Sequence, residues 1–461
     1  MIKRHIRNFL AKSKLSTTLR RFLYNYPALQ EIIWLILYFI KKKLFLPKNV
    51  PSTISTSQSP TEKASSERQL LIDISGISLR DIGTGVQRVA RNILIDILKN
   101  PPPGFAVKPV YADASGVLRY AWNYIGIKSL EANKNDDIIA SVRLGDIFYC
   151  ADLYYPYPFI TLSNLQQQGL HVIFTVYDLI PINHSTLFSK ALDLAFADWF
   201  AGVMRISDAI ICDSRSVADE VKEWLQQHPN ARQSPLPIGY FHLGADLASS
   251  KPTEGTSQDE ASILAVLRER PTLLMVGTVE PRKGHAPALD ALEALWKDGT
   301  DINLVIVGKE GWRSHDLVRR LRRHPQRNKQ LFWLEKASDA LLMQLYAQST
   351  ALLAASFAEG FGLPLIEAAH YGLPVIARDI PVFHEVAGDF AFYFPNTDSA
   401  ALADSLRHWL QLHAEGQAPR SADMPYLTWA QSTQQLLKVI LENHWYTTYQ
   451  PADARETTND E

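Results

Sequence analysis

The stretch Glu359-Gly360-Phe361-Gly362-Leu363-Pro364-Leu365-Ile366-Glu367 places two carboxylates eight positions apart around a glycine-rich turn. Pro364 suits the first position of a helix, where its missing N–H costs nothing. Gly360 and Gly362 allow backbone shapes that other residues resist, and they let a ligand come close. The N–H groups of Phe361, Gly362 and Leu363 would then stand at a helix N-terminus, a ready site for a phosphate or a polar hydroxyl. Glu359 lies in the loop and Glu367 in the first turn. Two carboxylates beside phosphate-binding amides suit a ligand with phosphates in the middle and hydroxyls at both ends, which is the form of a nucleotide-sugar. An acidic first turn that stabilises the helix dipole would account for Glu367 alone. It fits Glu359 and the two glycines less well.

Three further clusters belong to the same argument. In Gly277-Thr278-Val279-Glu280-Pro281-Arg282-Lys283-Gly284-His285, Arg282 offers a bidentate fork and Lys283 a point charge, a pair able to neutralise a diphosphate. The segment Asp81-Ile82-Gly83-Thr84-Gly85-Val86-Gln87-Arg88 begins as Gly-x-Gly, but Arg88 stands where a dinucleotide fingerprint needs its third glycine. A tight strand-to-helix turn explains it as well as a phosphate contact does. In Tyr177-Asp178-Leu179-Ile180-Pro181, Asp178 could contact a hydroxyl or act as a base, or it could be a cap or turn former. No G-x-x-x-x-G-K-[ST], H-E-x-x-H, G-x-S-x-G or D-x-D motif occurs. Without a D-x-D pair to hold a divalent metal on a diphosphate, positive side chains and a helix end must take that role. The expectation is a metal-independent site with no cofactor.

These residues need elements to hold them at one edge. From Leu70 to Ile74 the chain reads as a buried strand, and Val86, Val89, Ala90, Ile93, Leu94, Ile97 and Leu98 then recur at helical spacing. Strand candidates Asp146–Cys150, Val172–Val176 and Ala209–Cys212 follow, with helices near Lys190–Arg205 and Val217–Gln227. After a polar break at Ala248–Ser262 the alternation restarts with strands Thr272–Val276, Asn303–Val307, Leu331–Leu334, Ala351–Ala355 and Pro374–Ala377. Alternating strands and helices imply parallel sheets covered on both faces. The expected fold class is therefore α/β, two doubly wound Rossmann-like domains facing a cleft, with ligand at the strands' carboxyl ends. The expected boundaries are an N-terminal domain over 70–250 and a C-terminal nucleotide-sugar domain over 263–428. A closing helix over 429–446 then returns to the first domain, followed by a disordered tail over 447–461.

The chain has 461 residues with 46% apolar and 21% charged side chains, which excludes a wholly disordered chain, a collagen or a coiled-coil rod. Its two cysteines, Cys150 and Cys212, allow no disulfide framework beyond one bridge and suit a reducing, cytoplasmic setting. The net charge of −1 hides an uneven distribution: residues 1–48 hold eleven lysines and arginines against one acid, so the rest of the chain carries −11. Within 1–48 the run Ile32–Ile40 is unbroken and apolar, followed by Lys41-Lys42-Lys43. It is too short to span a bilayer as a helix, which takes about 20 residues. A basic segment with Trp and Tyr among aliphatics suits the membrane interface, although a helix packed on the protein's own body would use the same residues. Residues 49–69 are rich in Ser, Thr and Pro and read as a flexible linker. The near-neutral total argues against a nucleic-acid partner.

Taken together, the motifs resemble bacterial retaining glycosyltransferases of family 4, with the GT-B fold, over roughly Leu70 to Tyr446. Glu359 and Glu367 match that family's E-x7-E signature, and Gly277–Gly284 matches its basic donor loop. Four stretches look most like polysaccharide mannosyltransferases of O-antigen and capsule assembly: Leu71–Arg91, Val176–His184, Pro237–Asp246 and Ala377–Gly388. The resemblance implies transfer of a hexose, mannose, from a nucleotide diphosphate sugar such as GDP-mannose to a lipid-linked or polysaccharide acceptor, at the inner face of the cytoplasmic membrane. It implies that Glu359 contacts the donor sugar and Glu367 the ribose, while Arg282 and Lys283 bind the diphosphate. Phe361, Gly362 and Leu363 would offer N–H groups, and Gly83 and Gly85 would face the donor from the first domain. Many relatives have His where Tyr177 stands, so Tyr177 or Asp178 would supply that contact. A nucleotide-sugar epimerase, another GT-B enzyme, or a non-catalytic membrane scaffold on a degenerate transferase fold are the alternatives this architecture allows.

Overall fold

The computed structural model describes residues 35–36, 38–39, 67–79, 81, 83–121, 138–155, 157–246, 263–267, 269–395 and 397–451. The first sheet contains β1 (Arg68–Asp73), β2 (Phe105–Ala112), β3 (Leu118–Tyr120), β4 (Ile147–Cys150), β5 (His171–Val176), β6 (Ala209–Cys212) and β7 (Leu236–Tyr240). The second contains β8 (Thr272–Val276), β9 (Asn303–Val307), β10 (Leu331–Leu334), β11 (Ala351–Ala354), β12 (Val375–Arg378) and β13 (Ala391–Phe394). A last strand, β14 (Thr447–Tyr449), returns to the first sheet. Strand orders are β14-β7-β6-β5-β4-β1-β2-β3 and β10-β9-β8-β11-β12-β13.

The second sheet is wholly parallel, as the alternation predicts. The first is parallel only in its interior, because β3 and β14 run antiparallel along its two edges. Central strands are apolar on both faces: all four residues of β4 and of β6 are buried, since helices cover both sides. One cover is the helix Lys190–Ile206, whose Phe196, Trp199, Phe200 and Val203 are buried against the sheet. Each such side chain contributes ~1.5–3 kcal/mol on full burial.

Strand order reverses between β1 and β4 in the first sheet and between β8 and β11 in the second. Loops that leave adjacent strands in opposite directions open a crevice there, at the carboxyl edge. The Gly277–Gly284 loop leaves β8 and the Ala355–Gly362 loop leaves β11, so the second sheet's crevice holds both motifs.

The helix Trp429–Glu442 closes the molecule. Its N-terminus carries a capping box between Thr428 and Gln431. It packs on the helix Gly85–Lys99 of the first domain, and Ser432 Oγ donates to the His242 carbonyl at 2.6 Å. Asn443 ends it in a left-handed conformation, φ 59°, and Tyr446 N then donates to Ile238 O at 3.0 Å. This corrects the expected disordered tail: Thr447–Tyr449 form β14, and only 452–461 lie outside the described residues. The expected linker likewise stops short, because Arg68 and Gln69 already belong to β1.

Most of residues 1–66, and so most of the expected membrane tail and linker, lies outside the described residues. Of the apolar run, Leu35, Ile36, Tyr38 and Phe39 are helical. The Tyr38 hydroxyl bonds Asp198 of the first domain, while Ile36 and Phe39 stay more than half exposed, at 52% and 56%. No described helix is long and apolar enough to cross a membrane.

Candidate active site

The basic loop is folded tightly against the end of β11. Gly284 has φ +69°, and a β-carbon there would lie 2.1 Å from Ala355 O. Only glycine fits both the left-handed backbone and the close approach. Phe357 N donates to Arg282 O at 2.8 Å, joining the two loops directly. Arg282 and Lys283, on the turn Pro281–Lys283, are thereby brought onto the Glu359 loop.

Glu359 is the focus. Arg282 Nη1 donates to its Oε2 at 2.7 Å, Lys283 Nζ bonds its Oε1, and Ser356 Oγ donates to Oε1 at 2.7 Å. Burial alone would raise its carboxyl. The two cations and these hydrogen bonds outweigh burial and bring it down to about 2, so it is ionised across the physiological range. A buried carboxylate survives only when paired in this way. Glu280 shows the contrast: almost fully buried, with Arg282 Nε 2.5 Å from its Oε1, its carboxyl is pushed upward by desolvation. Next to Lys283, His285 is buried and drawn down to about 3, first by desolvation and then by the Lys283 charge. It is neutral at pH 7 and leaves the cationic role to Arg282 and Lys283.

The helix of the acidic motif runs Leu363–His370. It starts one residue earlier than expected, so Pro364 takes its second position. Gly362, at φ +100°, is the turn into it. The helix stops at Gly372, φ +64°, where Leu373 N returns to Ala368 O at 2.9 Å. The glycine loop of the first domain faces this entrance: a β-carbon on Gly85 would lie 3.9 Å from Leu363 Cδ1. Gly85 opens the helix Gly85–Lys99, capped by Thr84 and Gln87, and Gly83 is exposed beside it. Lys283, Glu359, Ser356, Gly362 and Pro364 line one narrow cleft, and the N-terminus of the helix Gly85–Lys99 approaches Leu363 beside it.

Glu367 is 2% exposed and already engaged: Arg88 from the first domain bonds its Oε1, and Tyr346 Oη donates to its Oε2 at 2.5 Å. Gly360 serves a purpose the sequence does not reveal. A β-carbon there would lie 1.8 Å from Tyr177 O, and Ser214 Oγ donates to Gly360 O at 2.7 Å. The close approach it permits is therefore to the other domain. The Tyr177 phenol is spent inside the first domain, donating to Ala151 O at 2.6 Å, which leaves Asp178 as the cleft-facing member of that pair. Burial lifts the Asp178 carboxyl and the Arg282 charge draws it back. It also accepts from Ile180 N at 3.1 Å, so the turn-forming role is present as well.

Several residues outside the motifs complete the site. Asp213, at the end of β6, is buried with no hydrogen bond to Oδ1, and burial followed by the Asp178 charge pushes its carboxyl far up. Glu385 caps the other domain's helix Arg215–Gln227, accepting from Arg215 N at 2.6 Å and Ser216 N at 2.8 Å. The His242 ring bonds it at 2.8 Å. A strand-end acid and an acid in a short helix carry no local signature, and only the packing of the two domains assigns them. Among the described residues no group of three or more His, Cys, Asp or Glu could hold a metal ion.

Fold and site together define a class: two Rossmann-like domains closed on a cleft with a basic, helix-terminated anion site, the GT-B architecture. Residues 258–422 match the family model of glycosyl transferases group 1. The serotype-specific mannosyltransferase WbdA of Escherichia coli is 41% identical over 385 residues, which is 80% of this chain and 45% of that protein. The chain spans about half the length of this relative. Among solved structures, sucrose-phosphate synthase from Thermosynechococcus elongatus superposes with a TM-score of 0.55 at 17% identity, covering 80% of this chain and 95% of that one. HepE from Anabaena, in complex with UDP and glucose, gives 0.53 at 18%, covering 81% and 99%. At such identities the structural likeness is one of fold.

Proposed function

We propose that this protein is a retaining, family 4 glycosyltransferase that moves mannose from GDP-mannose to a lipid-linked or polysaccharide acceptor in O-antigen-type surface glycan synthesis. The observation that carries it is the joining of Arg282, Lys283 and Glu359 at the N-terminus of the Leu363–His370 helix. Likeness to a mannosyltransferase over 80% of the chain supports the sugar.

In this reading the diphosphate lies against Arg282, Lys283 and the amides of Phe361, Gly362 and Leu363, with Gly83 and Gly85 facing it from the first domain. Negative charge grows on the diphosphate as the sugar's anomeric bond lengthens into an oxocarbenium-like transition state. Fixed cations and a helix end that meet this charge lower the barrier without reorganising. Glu359 holds sugar hydroxyls and keeps both cations in place. Glu367 holds the ribose. The acceptor hydroxyl attacks from the face the phosphate leaves, so the leaving phosphate helps take its proton and the configuration is retained. Asp178, beside Arg282, contacts the sugar from the acceptor side. No metal or cofactor takes part.

The basic segment 1–48 holds the enzyme at the inner face of the cytoplasmic membrane. Support comes from Ile36 and Phe39, which stay exposed while Tyr38 anchors the same helix to the body. A thermal-shift panel of nucleotide-sugars tests the donor. GDP-mannose should raise Tm by several degrees and UDP-glucose by less, as ligand binding to the folded state requires. A larger shift with another nucleotide-sugar would overturn the assignment.

A further inference from the structure

Arg88 and Glu367 come from different domains and meet across the cleft. Arg88 lies one turn into the helix Gly85–Lys99, and Glu367 one turn into the helix Leu363–His370. Their N-termini face each other through Gly85 and Leu363. The pair therefore sits just behind the place where the two helix N-termini meet. Glu367 is almost wholly buried, whereas the Arg88 side chain keeps 29% exposure. Arg88 Nε is buried with no hydrogen-bond partner, so the guanidinium is only partly satisfied where it rests. An arginine with donors to spare, near two helix N-termini, is suited to a phosphate, which guanidinium matches bidentately.

Glu367 has both oxygens taken, one by Arg88 and one by Tyr346. A carboxylate can accept up to four hydrogen bonds, but Glu367 is only 2% exposed, so ribose hydroxyls reach it only where one of these partners moves aside. Tyr346 belongs to the same domain as Glu367 and is fully buried, so it is built into the site. Arg88 is the partner that can leave.

We infer that Arg88 is a donor-positioning residue supplied by the first domain. It rests on Glu367, and when ribose hydroxyls take Glu367 it swings to the donor's diphosphate. This deepens the proposed function and rests on its placement of ribose at Glu367. It also gives the first domain a charged hold on the donor, in addition to the backbone of Gly83 and Gly85.

The test compares guanosine with GDP on full-length wild type, Arg88→Met and Arg88→Lys by calorimetry, with hydrogen exchange on the ligand-free proteins. Guanosine has the ribose but no phosphate. Arg88→Met should tighten guanosine about threefold, because a competitor for Glu367 is gone, and weaken GDP about tenfold, because a charge-assisted phosphate contact is lost. Arg88→Lys should restore most of the GDP affinity. Opposite signs for the two ligands are the signature; a merely structural role would weaken both, and that result would overturn the inference. Exchange should quicken in Leu363–His370 of ligand-free Arg88→Met, and unchanged exchange would likewise refute the resting contact. If wild type binds neither ligand while exchange still quickens, the donor reading has failed and the cross-cleft contact has not.

Discussion

Glu359 is a carboxylate kept ionised by two cations that a diphosphate would also need. Under the proposed function, replacing it by alanine would remove a sugar contact and free Arg282 and Lys283 to drift, and replacing Lys283 by alanine would remove leaving-group charge. Each should cut transfer by at least ~10²-fold, the usual cost of losing one preorganised electrostatic partner, with circular dichroism unchanged. Wild-type rates in either variant would sink the site. The same pairing predicts a pH effect. The Glu359 carboxyl lies at about 2 in the folded protein against 4.5 ordinarily, so the unfolded chain binds more protons between these values. Its contribution is complete above pH 4.5 and is lost as pH falls toward 2. Glu359→Gln should flatten this limb of the stability profile, measured by urea unfolding across that range; an unchanged slope would deny the pairing its energetic role.

At the scale of elements, the two domains bring backbone into close approach at Gly360. Gly360→Ala would drive a β-carbon into Tyr177 O. The expected result is loss of domain closure at a cost of about 2–4 kcal/mol, as for other overpacked or strained sites. Transfer should fall while each domain keeps its secondary structure, and a fully active, equally stable variant would contradict this. What the sequence shows and hides divides along the same line. Runs such as Val172–Val176 and Ala351–Ala355 are legible because strands buried on both faces must be continuously apolar. β2 is obscured by Lys108 and Pro109 inside it, and β3 and β14 are three-residue edges whose pairing comes from distant chain. In the site, the acidic motif and the basic loop are readable because their chemistry is local. The partners of Glu367 are not: Arg88 looks like a failed fingerprint and Tyr346 like a helix residue, until folding brings them together over 279 and 21 positions. Gly360 reads as a ligand-approach glycine because a sequence does not say which neighbour comes close.

For the whole molecule, the −1 total divides into a +10 segment at one end and an acidic two-domain body. Anionic lipid attracts basic segments by about 1 kcal/mol for each Lys or Arg near the surface, weakening with salt. Removing residues 1–48 should therefore abolish co-sedimentation with phosphatidylserine vesicles at low salt while leaving the Tm of the body intact. Unchanged sedimentation would refute the anchor. The body itself is held closed by contacts of several kinds: the Trp429–Glu442 helix, the Glu385 cap on Arg215–Gln227, and the Arg88–Glu367 pair. The family match covers most of the C-terminal domain, and the first domain supplies the facing wall of the cleft. The most direct test of the account is transfer itself: GDP-mannose labelled at the anomeric carbon, supplied with an isolated lipid-linked acceptor, the product read by carbon NMR. The account predicts an α-linked mannose from the α-configured donor, formed by wild type and absent with Lys283→Ala. A β-linked product, or equal transfer by the variant, would contradict it.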